Sequence, residues 1–432
     1  MRFTDRSLKP TNLPEWLAHV ERLHTHEIEL GLDRIRTVYA RLPALPCPAI
    51  TVAGTNGKGS TTAFLEAMYL AAGYKTGAYY SPHLVRYNER VRIEGCEVED
   101  GALCAAFAAV EAARGDVSLT YFEFGTLVAL VLFAKAALDV VILEVGLGGR
   151  LDAVNIIDAA VSIVVSVGTD HQEWLGPDRE TIGREKAGIF RSGRPAVIGF
   201  DVSESVISEA MSKGALPLIA NRDFCYTADR DQWRYMGAKG PRDYPYPALR
   251  GSYQLGNAAC ALTAIDALAG LPVSAGALRQ GLQDVRLAAR FQSLPGRPRV
   301  ILDVAHNEEA AVILAQALRE QPVSGRTLAV VGMFKDKPIL GVFRALLDSF
   351  DDWFLATLSD PRGADAACLE SHLAKLKREA RGTYQDPVTA FGAARAAAHP
   401  SDRIVVFGSF KTVGAILEVE ASKRAGGGGK AI

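Results

Sequence analysis

Residues 50–62 read ITVAGTNGKGSTT: an apolar run, three glycines, one lysine and then three hydroxyl side chains. A phosphate-binding loop usually spaces its residues G-x-x-x-x-G-K followed at once by Ser or Thr. Here only Thr55 and Asn56 separate Gly54 from Gly57-Lys58, and Gly59 parts the lysine from Ser60. The chemistry survives this shortening, because the glycines let backbone N–H groups turn inward and the β-branched run before them supplies a strand. Phe64, Leu65, Met68 and Leu70 then mark a helix expected to start near Ser60 and to end at Gly73. In this context Lys58 reaches β/γ phosphates and the hydroxyl of Ser60 or Thr61 touches Mg²⁺. The plainer alternative is a glycine turn with an exposed lysine, and the strand–loop–helix order argues against it.

A second set of chemically capable residues follows. The segment VILEVGLGGRLDAVN ends a buried strand at Glu144, and AVSIVVSVGTDH brings Asp170 and His171 to the end of the next. Lys186 follows in GREKAGIF, and YYSPHL supplies Ser81 and His83 after the strand that succeeds the phosphate-loop helix. Ligands of open α/β sheets collect at the carboxyl ends of strands, so Ser81, Glu144, His171 and Lys186 are aimed at the mouth where Lys58 sits. Hydroxyl, carboxylate and one imidazole suit Mg²⁺ held against phosphates. The ammonium of Lys186 does not, so it either binds phosphate, is neutralised, or becomes a carbamate. Taken singly, His171 reads equally well as a loop histidine, Lys186 as a surface charge, and His83 as local packing.

The elements that must position these groups are also legible. The 432 residues exceed one core, so two domains are expected. With 48 basic against 49 acidic side chains, the chain has no field to recruit nucleic acid or an anionic membrane. Six scattered cysteines without C-x-x-C spacing suit reduced thiols in the cytoplasm, and the polar opening MRFTDRSLKPTNLPEW is not a signal peptide. The most apolar stretch, TLVALVLFAKAALDVVIL, is broken by Lys135 and Asp139 and reads as a buried helix and a buried strand rather than a membrane span. Continuous apolar strands alternate with helices from TGAYY to RPAVIGF, which indicates an α/β fold with a mostly parallel sheet covered on both faces. Residues 222–250 read as short strands and loops, and SLPGRPR (293–299) as the linker to a second α/β unit that begins RVILDVAHN. The tail SKRAGGGGKAI has no core-forming residues.

GTNGKGS, SPHL, LEVGLGGRLD, DH, REKAGIF and DVAHN, in this order and spacing, resemble the Mur ligase superfamily and, within it, the bacterial bifunctional dihydrofolate synthase/folylpolyglutamate synthase family. The resemblance runs from LHTHEIELGLDRI to GSFKTV. It implies an ATP-dependent amide ligase with a P-loop-type central domain at 1–287, a hinge at 288–298, a smaller Rossmann-like domain at 299–422 and a disordered tail at 423–432. The substrates implied are L-glutamate with dihydropteroate or reduced folates, the cofactors ATP and two Mg²⁺ ions, and the state a cytoplasmic monomer. By the same resemblance Thr55, Asn56, Gly57, Lys58, Gly59, Ser60, Asn257, Arg290 and Asp303 bind ATP. Ser60, Ser81, Glu144 and His171 bind Mg²⁺, and Lys186 is carbamylated. Ile28-Glu29-Leu30, Thr120-Tyr121-Phe122-Glu123 and Leu151-Asp152-Ala153 match the pterin segments, with Phe122 as a stacking wall and Phe124 as a core residue.

The usual L-P-G-R-F-Q reads Leu287-Ala288-Ala289-Arg290-Phe291-Gln292, while Val154, Glu308 and Lys411 are further departures. Two rival readings are a P-loop ATPase and a cell-wall Mur ligase. The latter usually carries an added N-terminal domain for which residues 1–49 are too short.

Overall fold

β1 (Ala49–Ala53) is buried along its whole length and lies between two largely buried strands, β5 (Val140–Glu144) and β6 (Val161–Ser166). The computed structural model describes residues 10–426. In chain order the first sheet is β1, β2 (Thr76–Tyr79), β3 (Val91–Ile93), β4 (Cys96–Glu97), β5 (Val140–Glu144), β6 (Val161–Ser166), β7 (Pro195–Asp201) and β8 (Leu216–Ile219). Their spatial order is β4-β3-β2-β5-β1-β6-β7-β8, parallel from β2 to β8, with β3 and β4 added antiparallel at one edge. β1, β2 and β5 are buried at every residue, so no strand face alternates with solvent, as a sheet covered on both faces requires.

The covering helices carry the expected patterns. The helix Tyr121–Lys135 buries eleven residues in an unbroken run from Glu123 to Phe133, with hardly a polar face, so it lies inside the domain. The phosphate-loop helix is Lys58–Ala71, beginning two residues before the expected start because Gly57, at φ +85°, makes the turn into it. Residues 222–250 form a separate antiparallel sheet of β9 (Cys225–Ala228), β10 (Gln232–Gly237) and β11 (Gly240–Pro245) around the buried Trp233.

Compact units divide the chain differently from the expected boundaries. One holds the residues up to Ser81, Asn88–Tyr246 and Asn257–Asp284; the other holds Pro82–Tyr87, Pro247–Gly256 and the chain from Val285. The second contains β12 (Gln292–Leu294), β13 (Arg299–Leu302), β14 (Thr327–Val331), β15 (Asp352–Ala356), β16 (Gly382–Tyr384) and β17 (Arg403–Phe407), in the order β12-β13-β17-β14-β15-β16. All pairs are parallel except β12 with β13. The expected linker at 293–299 is therefore a hairpin: Pro295, Gly296, Arg297 and Pro298 make the turn, and Ser293 and Leu294 belong to a strand. At the other end the helix Phe410–Gly426 continues past Ser422 where a tail was expected, and the rest of that tail, 427–432, lies outside the described residues. No helix among the described residues is long and apolar enough to cross a membrane.

Candidate active site

The phosphate loop leaves β1 and is tied to the end of β6 before it enters its helix. The Thr55 N–H donates to the Ser166 carbonyl at 2.9 Å, the Asn56 N–H to Ser166 Oγ at 3.0 Å, and Ser166 Oγ returns a bond to the Asn56 carbonyl at 2.8 Å. Thr55 Oγ1 accepts the Gly168 N–H at 2.8 Å. A side chain at Gly57 is opposed twice over: its backbone is left-handed, and a Cβ would stand 2.4 Å from Asn257 Oδ1. Asn257, assigned to the nucleotide from sequence, is thus packed against this loop. Lys58 folds its Nζ onto the Gly54 and Thr55 carbonyls, at 3.0 and 3.2 Å, which puts the cation over the cradle. Gly59 and Ser60 are in the helix's first turn, with Ser60 buried.

Glu144 ends β5 next to Val52 of β1, buried, and its Oε2 accepts the Ser81 N–H at 3.1 Å. Asp170 and His171 follow β6. The Asp170 carboxylate accepts the His171 N–H at 2.9 Å and stands 3.9 Å from His171 Nε2, while His171 takes a left-handed backbone (φ +57°) that turns the chain into the next helix. Asp170 is more buried than His171.

Lys186 lies in the last turn of the helix Arg179–Ala187. That turn is seated on the loop after β5: a Cβ on Gly149 would be 2.6 Å from the Lys186 carbonyl, the Arg150 N–H donates to the Glu185 carbonyl at 2.7 Å, and the two side chains pair at 2.8 Å. The glycines of GLGGR permit this close packing. Lys186 Nζ then donates to the Gly54 carbonyl at 3.1 Å, the carbonyl that Lys58 also contacts. Burial pushes the Lys186 ammonium down from 10.5 to about 7, the neighbouring Lys58 charge pushes the same way, and Asp170 and Asp152 oppose both.

The pterin-segment residues gather on the same unit. Thr120 and Glu123 form a reciprocal cap at the start of their helix, and buried Glu123 also pairs with Arg34 at 3.2 Å. Arg34 pairs in addition with Glu29, so it joins two segments that were assigned separately; nothing in the sequence marked it. The Phe122 ring is half-buried and lies on Gly146, whose Cβ would be 2.6 Å from the ring. Its centroid is 6.0 Å from that of Tyr79. Phe124 is fully buried and stacks on Phe107 at 5.5 Å, so it is a core residue. The Arg90 guanidinium, also unmarked by sequence, covers Tyr121 at 5.6 Å. Asp152 caps a short 3₁₀ turn of Ala153–Ile156, accepting the Leu147 and Val154 N–H groups at 2.8 and 3.0 Å; burial nevertheless raises its carboxyl to about 6. Ile28, Leu30 and Leu151 are half-buried and Ala153 is buried.

Three expected residues belong to the second unit. His83 lies 5.9 Å, ring to ring, from Tyr87, a local contact. Asp303 ends β13's extension and accepts the Phe291 and Ala305 N–H groups at 2.8 Å each. Arg290 stacks over Phe410 at 5.3 Å, between Ala289 and Phe291, which both have positive φ. The family pattern has glycine at position 289, and Ala289 keeps the left-handed backbone in its absence.

Comparison with known proteins decides the family. The chain matches the Mur ligase middle domain over residues 52–219 and the Mur ligase glutamate ligase domain over 289–410. It is 49% identical over 419 residues to the dihydrofolate synthase/folylpolyglutamate synthase of Escherichia coli (strain K12), covering 96% of this chain and 97% of that one. The chain belongs to the dihydrofolate synthase/folylpolyglutamate synthase family of Mur ligases. Among solved members of this family, E. coli FolC in complex with DHPP and ADP superposes with a TM-score of 0.91 at 48% identity, over 96% of this chain and 99% of that one. A bifunctional folylpolyglutamate synthase/dihydrofolate synthase with Mn, AMPPNP and L-glutamate bound gives 0.87 at 44% identity, over 96% and 100%. The mixed α/β fold expected from sequence is the fold of this family.

Proposed function

We propose that this protein joins L-glutamate to dihydropteroate and to the γ-carboxylate of reduced folates, as an ATP-dependent amide ligase working as a cytoplasmic monomer. The observation that carries the reading is the buried Lys186 amine hydrogen-bonded to the phosphate loop, where burial and the Lys58 charge lower its pKa against the pull of Asp170 and Asp152. A motor-type ATPase has no use for such a group, whereas an amine that is neutral near pH 7 can add to CO₂, forming the N–C bond of a carbamate and releasing one proton.

A carboxylate is a poor acyl donor because its leaving group would be oxide. Transfer of the γ-phosphoryl group of ATP to the acceptor carboxylate gives an acyl phosphate; the amine of glutamate attacks its carbonyl, phosphate leaves, and an amide remains. Lys58 and the N–H groups of residues 57–60, at the start of its helix, offset the charge of the transferring group. Glu144, the Lys186 carbamate, His171, and the hydroxyls of Ser60 and Ser81 are the donors offered to Mg²⁺, and this predominantly hard-oxygen set fits the ion. When bound, Mg²⁺ supplies charge neutralisation and orientation of the phosphates. Phe122 and Gly146 form a flat apolar wall for a pterin, and Glu29, Glu123, Arg34 and Asp152 offer polar groups near it. Asn257, Arg290 and Asp303 retain their assignment to the nucleotide.

Phosphate release is the test, with ATP, Mg²⁺, glutamate and dihydropteroate each omitted in turn. Release should depend on all four. Full-speed turnover without a pterin or folate acceptor would overturn the ligase reading.

A further inference from the structure

The connection between the helices Leu13–Val20 and Asp33–Tyr39 holds a cluster of two histidines, which the ligase chemistry does not use, and Glu29 of the pterin segment. One ring nitrogen from His24, one from His26 and one carboxylate oxygen of Glu29 all lie within 4.8 Å of one another. Ligands about 2.1 Å from one tetrahedral ion stand roughly 3.4 Å apart, so small side-chain rotations close the set. His24 is the fixed member: its side chain is only 9% exposed, with Nε2 3.1 Å from Glu29 Oε2. Its Nδ1 lies 3.1 Å from the His26 carbonyl and also 3.1 Å from the His26 N–H. The His26 N–H donates to Nδ1, so Nε2 carries the ring proton and donates it to Glu29 Oε2; an arriving cation displaces that one proton and takes both atoms as ligands. The other two members, His26 and Glu29, are exposed, which leaves an entry path. His26 Nδ1 is 3.0 Å from Thr25 Oγ1, a partner that can hold its ring in the same way.

Arg34 opposes a cation here, since it pairs with Glu29. It uses the other carboxylate oxygen, Oε1, and it is shared with Glu123, so the three groups together carry one net negative charge.

We propose that His24, His26 and Glu29 form a binding site for one divalent transition ion of zinc-like character. Two imidazoles and one carboxylate suit zinc and its neighbours, and they fall short of the oxygen count that magnesium takes. Occupancy has a consequence that rests on the function proposed above. Glu29 belongs to the pterin segment, so the ion competes with the pterin acceptor.

Cobalt(II) is the probe, titrated into the full chain in excess Mg²⁺, because a tetrahedral site with nitrogen ligands absorbs visible light far more strongly than an octahedral oxygen site. The native chain should show one saturable equivalent that zinc displaces. His26→Ala, at an exposed position outside the ligation machinery, should abolish the band and weaken zinc binding by roughly tenfold or more, with the metal-free ligation rate unchanged. A folded native chain without the band, or a band that survives in His26→Ala, overturns the site. Kinetics then test the consequence separately: zinc should raise the KM for dihydropteroate in the native chain and not in His26→Ala. A cobalt band lost in the variant, with KM indifferent to zinc in both proteins, keeps the metal site and overturns its link to the pterin.

Discussion

Two buried cations, one in each unit, are held in opposite ways. Arg403, at the start of β17, donates to the Leu318 and Gln321 carbonyls at 3.3 and 2.6 Å and to Thr327 Oγ1 at 3.0 Å. Burial, and after it the neighbouring Arg299 charge, lower its guanidinium to about 10, far above neutral pH, so it remains a cation with oxygen acceptors around it. Lys186 is given a single carbonyl at 3.1 Å and a second cation, Lys58, as neighbour, and it falls to about 7. The first arrangement gives its charge three oxygen acceptors and fastens architecture; the second gives one acceptor, with only the charges of Asp170 and Asp152 in support, and keeps its nitrogen convertible. A titratable group brought near neutrality beside the phosphate loop marks the chemistry.

The strongest challenge to this contrast is Lys186→Ala. It should lower the ligation rate by roughly 10²–10³-fold, the usual loss when one preorganised electrostatic partner of a reaction is removed. A short carboxylic acid in the buffer should recover part of it by standing in for the carbamate. An unmodified lysine by mass spectrometry, in fully active protein at high bicarbonate, would remove Lys186 from the chemistry.

The same residue makes a statement about pH. In metal-free protein under CO₂-free buffer, Lys186 is deprotonated above about 7 when folded, whereas in the unfolded chain it stays protonated up to about 10.5. Between those values the unfolded chain binds more protons, so stability contributed by this group rises with pH across the window. Urea unfolding at a series of pH values should show that rise, and Lys186→Met should flatten it.

Arg403→Met should reverse the pattern of Lys186→Ala. Stranding its oxygen partners costs roughly 2–3 kcal/mol of stability, read by denaturant midpoint, with the activity of the folded fraction unchanged. Equal loss of activity would show that Arg403 is not purely architectural.

Phe122→Ala is smaller. Lost stacking and burial of about 1–2 kcal/mol should raise the KM for dihydropteroate roughly tenfold, with less effect on the longer folate, which has other anchors. Equal losses for both acceptors together with a lower Tm would make Phe122 a packing residue. The smallest effect is expected at Ala289, buried with φ +58° where the family pattern has glycine. Ala289→Gly relieves a left-handed alanine and should raise stability by up to about 1 kcal/mol, and a drop would show that the methyl's packing outweighs the strain.

What the sequence disclosed follows the range of the forces involved. The phosphate loop, the buried strands and the helix Tyr121–Lys135 are dictated by neighbours in the chain, and each was legible. Phe124 could be assigned to the core because its helical stripe is local. Arg34 and Arg90 could not be found, since a guanidinium that joins Glu29 to Glu123 or covers Tyr121 is selected by proximity in space alone. The hairpin of β12 and β13 was missed for a related reason: Pro and Gly signal a turn equally in a linker and between paired strands, and only pairing with Val300–Leu302 distinguishes them.

The stitching of Thr55 and Ser166 carries one more implication. Because Asn56 and Thr55 are bonded to the end of β6, the loop's curvature is set by hydrogen bonds within the protein. Its ordering entropy is therefore lost once, during folding, rather than at each arrival of nucleotide. Spent nucleotide can leave, and fresh nucleotide can enter, without the cradle having to reassemble between turnovers.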